Sequence, residues 1–183
     1  MERTAETPLR SPGQCSPGPW PAAGHAAVTP ETLAALHARC MSVPGPWSVR
    51  DFSGLLASPG VFLATPPPDR RARRGQDPEE AAERFRGFAL GRIAADEAEL
   101  LTIAVDPAHR RQGIGRACCA AFETEAKSRG ALRAFLEVAA TNEAARRLYL
   151  ASGWIRHGCR NAYYRTPAGC VDAVLMSKRL AAA

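Results

Sequence analysis

The residues best suited to chemistry lie in one stretch, residues 101–116, with the sequence LTIAVDPAHRRQGIGR. An apolar segment runs into a loop with arginines and glycines, and helical spacing begins directly after that loop. A helix start offers unpaired N–H donors and the positive end of the helix dipole, and glycine lets an anion approach the backbone. The stretch therefore predicts an anion-binding loop, charged by Arg110, Arg111 and Arg116. The alternative is a plain glycine turn with surface arginines.

Two nucleotide-binding patterns fit this stretch less well. Gly113-x-Gly115-x-x-Cys118 half-matches the dinucleotide fingerprint GxGxxG, and Glu137 follows near the place of a ribose-binding acid. However, seven residues separate the strand from the first glycine, whereas the dinucleotide turn is tight, and the preceding strands are predicted to be antiparallel. A Walker-type phosphate loop is excluded because no Gly-Lys-Ser/Thr follows the glycines.

Three further side chains could transfer protons or bind a ligand. Alternation places Glu137 on one strand face with Phe135 and Ala139, and an apolar setting would raise the pKa of its carboxyl and suit a general base. Asn142 and Tyr149 are seven residues apart, which puts them on the same helix face. The ordinary alternatives are a solvent-facing glutamate, a plain N-cap and a core tyrosine.

Local patterns predict the elements that hold these residues. Helices are expected from a capped Thr-Pro-Glu start, from Ser48, from Ile114 up to Gly130, and from Thr141 or Asn142 up to Ser152. Strands are expected at 61–64, 88–94, 99–105, 134–139, 154–159 and 171–177, with 161–169 as a loop. The predicted order is two helices, three strands, helix, strand, helix and two strands, a mixed α/β fold.

Two segments do not fit a packed core. Residues 1–28 are rich in Pro, Gly, Ala and Ser and predict a disordered or extended arm. Residues 66–86 hold six Arg against five acids and predict a flexible, solvated insertion rather than a nucleic-acid-binding arm. A single domain over 29–180 is expected around that insertion. The net charge of +6 permits an acidic ligand without demanding nucleic acid.

The cysteines and the apolar runs exclude several classes of protein. The six cysteines show no CxxC or CxxH spacing, so neither a metal site nor a disulfide framework is expected. Cys118 and Cys119 are expected to be small core residues of a helix. No apolar run reaches the length of a membrane span, and residues 1–27 do not look like a secretory signal. We therefore expect a cytoplasmic protein with reduced thiols and no membrane partner.

Several motifs together resemble a known family. Arg110-x-x-Gly113-x-Gly115 fits the R/Q-x-x-G-x-G/A acetyl-CoA motif of the GNAT acyltransferase superfamily. More narrowly, IAVDPAHRRQGIGR, FLEVAATNEAARRLYLASGW, the NAYY segment, VDAVLM and PWS at 46–48 resemble the RimI-type ribosomal-protein-alanine N-acetyltransferases. The resemblance covers about 29–180, interrupted by the insertion. It implies the GNAT fold, a mixed and mostly antiparallel central sheet flanked by helices.

The resemblance also implies acetyl-CoA as cosubstrate, without a metal. The pantetheine arm would pair with the backbone of 103–105 in the way an added strand does. The amides of 111–116 would hold the pyrophosphate. The helix that follows would add an asparagine contact. The implied cofactor-binding residues are Ile103, Ala104, Val105, Arg110, Arg111, Gln112, Gly113, Ile114, Gly115, Arg116 and Asn142.

By the same resemblance, Glu137 would be the general base, acting directly or through water, and Tyr149 would protonate the departing CoA sulfur. Trp47, Tyr163 and Tyr164 would shape a channel for the substrate peptide. Adjacent tyrosines on a strand point to opposite faces, so at most one of the pair need face the peptide. The implied activity is acetylation of a protein N-terminus, foremost the N-terminal alanine of a small-subunit ribosomal protein.

The chemistry of the amine favours an N-terminal substrate. A protein α-amine has a pKa of about 7.7–8.0 and a lysine amine about 10.4, so far more of the former is neutral at pH 7. Two alternatives stay open: a GNAT enzyme for a lysine side chain or a small-molecule amine, and a non-catalytic ribosome- or RNA-binding module. The latter would bind RNA in a salt-sensitive way and show no turnover. Direct binding of nucleic acid is not expected.

Overall fold

The computed structural model describes residues 28–67 and 85–180. The arm predicted over 1–28 lies outside the described residues except for its last residue, and most of the insertion predicted over 66–86 also lies outside them. The helices are α1 Pro30–Cys40, α2 Val49–Ala57, α3 Ile114–Ser128 and α4 Glu143–Ala151, with a short 3₁₀ helix at Pro107–His109. The strands are β1 Val61–Ala64, β2 Gly87–Ala94, β3 Glu97–Val105, β4 Arg133–Ala139, β5 Ile155–Thr166 and β6 Gly169–Arg179. The predicted order of elements is confirmed.

Side-chain caps start three of the four α-helices found in the described segments 28–67 and 85–180. The Thr29 hydroxyl caps α1, with Pro30 at the first helical position. Ser48 and Asp51 form a reciprocal capping box at α2. The Asn142 side chain accepts a hydrogen bond from a first-turn amide of α4 at 3.1 Å. These contacts satisfy N–H groups that have no partner within the helix, which explains why the predicted starts are right.

The six strands in the part of the chain that the structure describes form one sheet in the order β1-β2-β3-β4-β6-β5. Every neighbouring pair is antiparallel except β3 and β4, which are parallel. The predicted mixed, mostly antiparallel sheet is therefore confirmed. The β3–β4 ladder holds only 97–99 against 133–135, although β3 continues to 105 and β4 to 139. Beyond those three pairs the two strands diverge, and the sheet is split along this line.

Hydrophobic cores lie on both faces of the sheet. The core beneath α3 and α4 contains Cys118, Cys119, Phe122 and Trp154, all almost fully buried, which confirms the prediction for the two cysteines. The core beneath α1 and α2 is built from Leu33, Leu36, Phe52, Phe88 and neighbouring side chains. Burial on both faces holds the diverging strands rigidly at their paired ends.

The last two strands differ from the prediction. β5 runs on to Thr166, so 161–169 is mostly strand, and the turn comprises only Pro167 and Ala168. Polar and turn-forming residues in this segment predicted a loop, but pairing of Tyr164 with Val171 keeps it extended. β3 likewise begins at Glu97, which shortens the predicted connection to two residues. In both cases partners on another strand override local composition.

Two classes of feature are absent from residues 28–67 and 85–180. No helix of these segments is long and apolar enough to cross a membrane. No group of three or more His, Cys, Asp or Glu side chains within the same segments could hold a metal ion.

Candidate active site

A groove of about 860 Å³ opens where β3 and β4 diverge. Ile103 and Val105 contribute the end of β3, residues 40–43 form one wall, and the start of α3 with one face of α4 forms the other. The lining residues are Cys40, Met41, Ser42, Val43, Ile103, Val105, Arg110, Arg111, Gly113, Gly115, Arg116, Thr141, Asn142, Ala144, Ala145, Arg147, Leu148 and Ala151.

The start of α3 gives this groove its anion-binding character. Gly113 caps the helix in the left-handed conformation (φ +83°) and makes no side-chain cap, so no cap side chain covers the first-turn N–H groups. Arg110, Arg111, Arg116 and Arg147 line the same groove. Unpaired amides and the helix dipole favour an anion, and the guanidinium groups add positive charge. A phosphorylated ligand would fit this end of the groove.

The second glycine has a packing role. A Cβ at Gly115 would lie 3.1 Å from a methyl carbon of Leu148, so glycine lets the first turn of α3 approach α4 closely. Both residues line the groove. This close approach sets the width of the groove at its arginine-rich end.

The last turn of α1 is tied to the end of β3. Cys40 donates its thiol hydrogen to the carbonyl of Val105 at 3.2 Å. Arg39 forms an ion pair with Asp106 at 2.7 Å. These contacts join residues more than sixty positions apart, and they place 40–43 against the strand end that lines the groove.

A buried histidine holds the α1–α2 connection to the same strand. His37 is 1% exposed, and its Nδ1 accepts the backbone N–H of Trp47 at 3.0 Å. Its Nε2 must therefore carry the hydrogen, which it donates to the Thr102 hydroxyl at 3.1 Å. The ring stacks on Trp47 with centroids 5.0 Å apart. Burial lowers the pKa of His37 to about 4, so the imidazole is neutral at ordinary pH.

Glu137 lies on the face of β4 opposite the core that α3 covers. Its neighbours Leu136 and Val138 belong to that core, and alternation turns the half-buried Glu137 away from it. Its carboxylate lies 3.3 Å from the guanidinium of Arg160 on β5. The expected setting of apolar neighbours alone is therefore wrong, because the register of β5 and β6 brings an arginine to the carboxylate.

The prediction that Tyr163 and Tyr164 point to opposite faces of the strand is wrong. Their rings meet edge to face with centroids 5.0 Å apart, since β5 is irregular between Arg160 and Tyr164. The Arg160 guanidinium lies over the Tyr163 ring at 5.1 Å. Burial, and secondarily the charge of Glu137, raises the pKa of Tyr164 to about 12. Glu137, Arg160, Tyr163 and Tyr164 thus form one cluster beside the split sheet.

Tyr149 is buried at the end of α4, 6% exposed, and its ring packs near Trp154 at 6.1 Å. Burial raises the pKa of its phenol strongly, with smaller contributions from Cys119 and Tyr164. The phenol therefore keeps its proton at ordinary pH. Tyr149 is not among the groove-lining residues, whereas Asn142 on the same helix both caps α4 and lines the groove.

Most of the expected cofactor residues line the groove, and a few do not. The side chain of Ala104 is buried, Gln112 is exposed outside the lining, and Ile114 packs against the core. Trp47 packs against the core beneath α1 and α2 and not in the groove. Sequence reasoning missed the wall 40–43. It also missed Arg147, which lies on the α4 face of Ala144 and Ala151, because these alanines carry no signal of a ligand.

A model of the acetyltransferase (GNAT) family matches residues 64–154 of this chain. The match spans the split strands, the arginine-rich start of α3 and α4. The chain belongs to the GNAT family.

Relatives of this GNAT chain include two curated bacterial proteins. It is 42% identical over 90 residues to the [ribosomal protein bS18]-alanine N-acetyltransferase of Escherichia coli K12, covering 49% of this chain and 61% of that protein. It is 40% identical over 89 residues to the N-alpha-acetyltransferase RimI of Mycobacterium tuberculosis, covering 49% and 53%. The matches thus span about half to three fifths of the length of these relatives.

The fold of the GNAT chain also resembles a solved structure. The crystal structure of the ribosomal-protein-S18-alanine N-acetyltransferase from Escherichia coli superposes with a TM-score of 0.67 at 29% identity. The superposition covers 84% of this chain and 89% of that one. The two chains share the GNAT fold over most of their lengths.

Proposed function

We propose that this GNAT chain transfers the acetyl group of acetyl-CoA to the α-amine of a protein N-terminus, foremost the N-terminal alanine of a small-subunit ribosomal protein. The observation that carries the proposal is the split between β3 and β4, which opens beside four groove-lining arginines. The catalytic candidate Glu137 lies on β4 beyond the last paired residue, Phe135. We place the reaction between this groove and Glu137, which is not itself among the groove-lining residues.

The groove suits acetyl-CoA in both polarity and shape. The phosphates of acetyl-CoA would bind at the start of α3, where Arg110, Arg111 and Arg116 surround uncapped amides. The end of β3 beyond Glu99 no longer pairs with β4, so its backbone can accept an extended ligand as an added strand. Asn142 lines the opposite wall. When bound, acetyl-CoA supplies a thioester from which an acetyl group passes to an amine.

Two residues of the chain then each transfer one proton. We assign to Glu137 the removal of a proton from the attacking amine, directly or through a water molecule. We assign to Tyr149 the donation of its phenolic proton to the thiolate sulfur as the carbon–sulfur bond breaks. Burial keeps the Tyr149 phenol protonated before the step, and its place seven residues after the groove-lining Asn142, on the same face of α4, supports the assignment. The amine thus loses one proton to Glu137 and the sulfur gains one from Tyr149, and proton exchange with solvent then returns both residues to their starting states.

The substrate amine is proposed to come from a peptide N-terminus. The tyrosine cluster Tyr163 and Tyr164 lies beside Glu137 and offers two aromatic walls to a peptide. Similarity to the Escherichia coli protein named for alanine N-acetylation favours an alanine terminus. A ribosomal protein as substrate implies a cytoplasmic location, where ribosomes are made.

A peptide panel with mass spectrometry tests this proposal. One peptide begins with a free alanine, a second is the same peptide with a blocked N-terminus, and both contain an internal lysine. With acetyl-CoA present, we expect one acetyl group on the α-amine of the first peptide and none on the second.

The two alternatives give different results in the same experiment. Acetylation of the blocked peptide would identify a lysine acetyltransferase and refute the proposal. Absence of any acetylation together with salt-sensitive RNA binding would favour the non-catalytic RNA-binding module. A comparison of ribosomal proteins from cells with and without this protein would then name the natural substrate by a lost N-terminal acetyl group.

A further inference from the structure

Strand β5 carries a bulge next to the candidate catalytic cluster. Arg160 lies opposite Ala173 of β6, and Tyr164 lies opposite Val171. The three residues 161–163 therefore face a single residue, Asp172. A bulge of this kind re-aims the side chains of the strand that contains it.

Asp172 holds this bulge through its carboxylate. Its Oδ1 accepts the backbone N–H of Ala162 at 2.8 Å. Ala162 has φ +52°, a left-handed conformation that is unfavourable for a residue with a Cβ. The backbone carbonyl of Asp172 accepts the N–H of Ala140 at 2.8 Å, so the same residue is anchored to the end of β4. The hydrogen bond from the carboxylate thus stabilises a backbone shape that the alanine alone would avoid.

The bulge decides where the cluster side chains point. On a regular strand, Tyr163 and Tyr164 would point to opposite faces and their rings would lie far apart. In the structure their rings touch, and Arg160 reaches both the Tyr163 ring and the Glu137 carboxylate. The geometry of the peptide side of the site therefore depends on the conformation of 161–163.

We propose that Asp172 is a positioning residue for the peptide substrate, because it holds the bulge that gathers Arg160, Tyr163 and Tyr164 around Glu137. This inference rests on the proposed acetyltransferase function. Asp172 acts through the backbone of Ala162 and touches no reacting atom. Its carboxylate bonds the backbone of β5 and is not among the groove-lining residues, so we expect a change of the side chain to affect the peptide and to leave acetyl-CoA binding intact.

Steady-state kinetics of Asp172→Ala and Asp172→Asn test the inference with a free-alanine peptide. Loss of a hydrogen bond to a charged group is expected to raise the peptide KM of Asp172→Ala about tenfold. The acetyl-CoA KM should stay within about twofold of wild type, because the groove is unchanged. Asp172→Asn should restore most of the peptide KM, since the amide oxygen can accept the same hydrogen bond.

Hydrogen exchange of the Ala162 amide supplies a readout independent of activity. This exchange should be about tenfold faster in Asp172→Ala than in wild type, and near normal in Asp172→Asn. Asp96→Ala is the matched control. Asp96 is also exposed, but its backbone carbonyl makes its tertiary hydrogen bonds, to the Leu132 and Arg133 amides, so both KM values should be unchanged.

Three results would overturn the inference: an unchanged peptide KM in Asp172→Ala, an equal rise in both KM values, or an Asp172→Asn that behaves like Asp172→Ala. If Asp172→Ala does not fold, the double variant Asp172→Ala with Ala162→Gly replaces it, because glycine accepts the positive φ. A wild type that acetylates no peptide would refute the proposed function instead, and the exchange contrast would then decide the role of Asp172 in the bulge.

Discussion

Acidification should destabilise this protein through one buried histidine. His37 is 1% exposed, accepts the Trp47 amide hydrogen at Nδ1 and donates to Thr102 from Nε2. A second ring proton would point at the Trp47 N–H donor and would be buried without a partner. His37 therefore binds a second ring proton less readily in the folded protein than in the unfolded chain.

The magnitude follows from the pKa of His37, which burial lowers from 6.5 to about 4. The folded pKa lies below the unfolded one, so the unfolded chain binds the proton more readily and stability falls as pH falls from 6.5 towards 4. The full difference corresponds to about 3 kcal/mol, and about 2 kcal/mol of it is lost between pH 7 and pH 5. Below pH 4 this residue has no further effect.

Urea unfolding followed by circular dichroism at pH 7, 6 and 5 measures this effect. His37→Gln can keep a hydrogen-bonding side chain but cannot titrate, so subtracting its stability from that of wild type isolates the histidine. The free energy of unfolding of wild type minus that of His37→Gln should fall by about 2 kcal/mol between pH 7 and pH 5. His157→Gln, at an exposed position, is the matched control and should run parallel to wild type. If wild type and His37→Gln also run parallel, the reasoning about His37 is refuted.

Three further changes test the site and the core. Glu137→Gln should lower kcat about a hundredfold and remove the pH-profile limb of the base, and an unchanged profile would exclude that role. Tyr149→Phe should slow the chemical step while the acetyl-CoA dissociation constant stays within about twofold, as calorimetry can show; weaker acetyl-CoA binding would instead indicate a structural role. Gly91→Ala should cost about 1–3 kcal/mol in urea unfolding, because its Cβ would lie 2.5 Å from two phenylalanine rings. Gly54→Ala, with open space around an exposed helix position, should be neutral or stabilising, and equal losses at both glycines would contradict the packing argument.

Elements whose causes lie within a few residues were predictable. Thr29, Ser48 and Asn142 cap helices that start where the sequence indicates, and Gly130 adopts positive φ just after α3. A cap needs only a side chain and an amide two or three positions away, so the sequence holds all the information. The arginines and glycines of 110–116 were found for the same reason.

Elements whose causes lie far along the chain were not predictable in detail. Residues 161–166 contain polar and turn-forming types, yet they belong to β5, because 164–166 pair with β6 beyond the bulge at 161–163. Glu137 was expected among apolar neighbours, but Arg160, more than twenty positions away, reaches its carboxylate. No local pattern pairs His37 with Thr102, which lies on a strand 65 positions later.

The sequence by itself therefore determined the order of elements, the anion-binding start of α3 and the candidates Glu137 and Tyr149. Only the tertiary structure decided that β3 and β4 separate after three pairs, that β5 bulges opposite Asp172, and that His37 joins two helices to β3. Caps and helical periodicity arise from contacts within one turn of the chain. Strand register and buried partners arise from packing between distant segments, which no local pattern specifies.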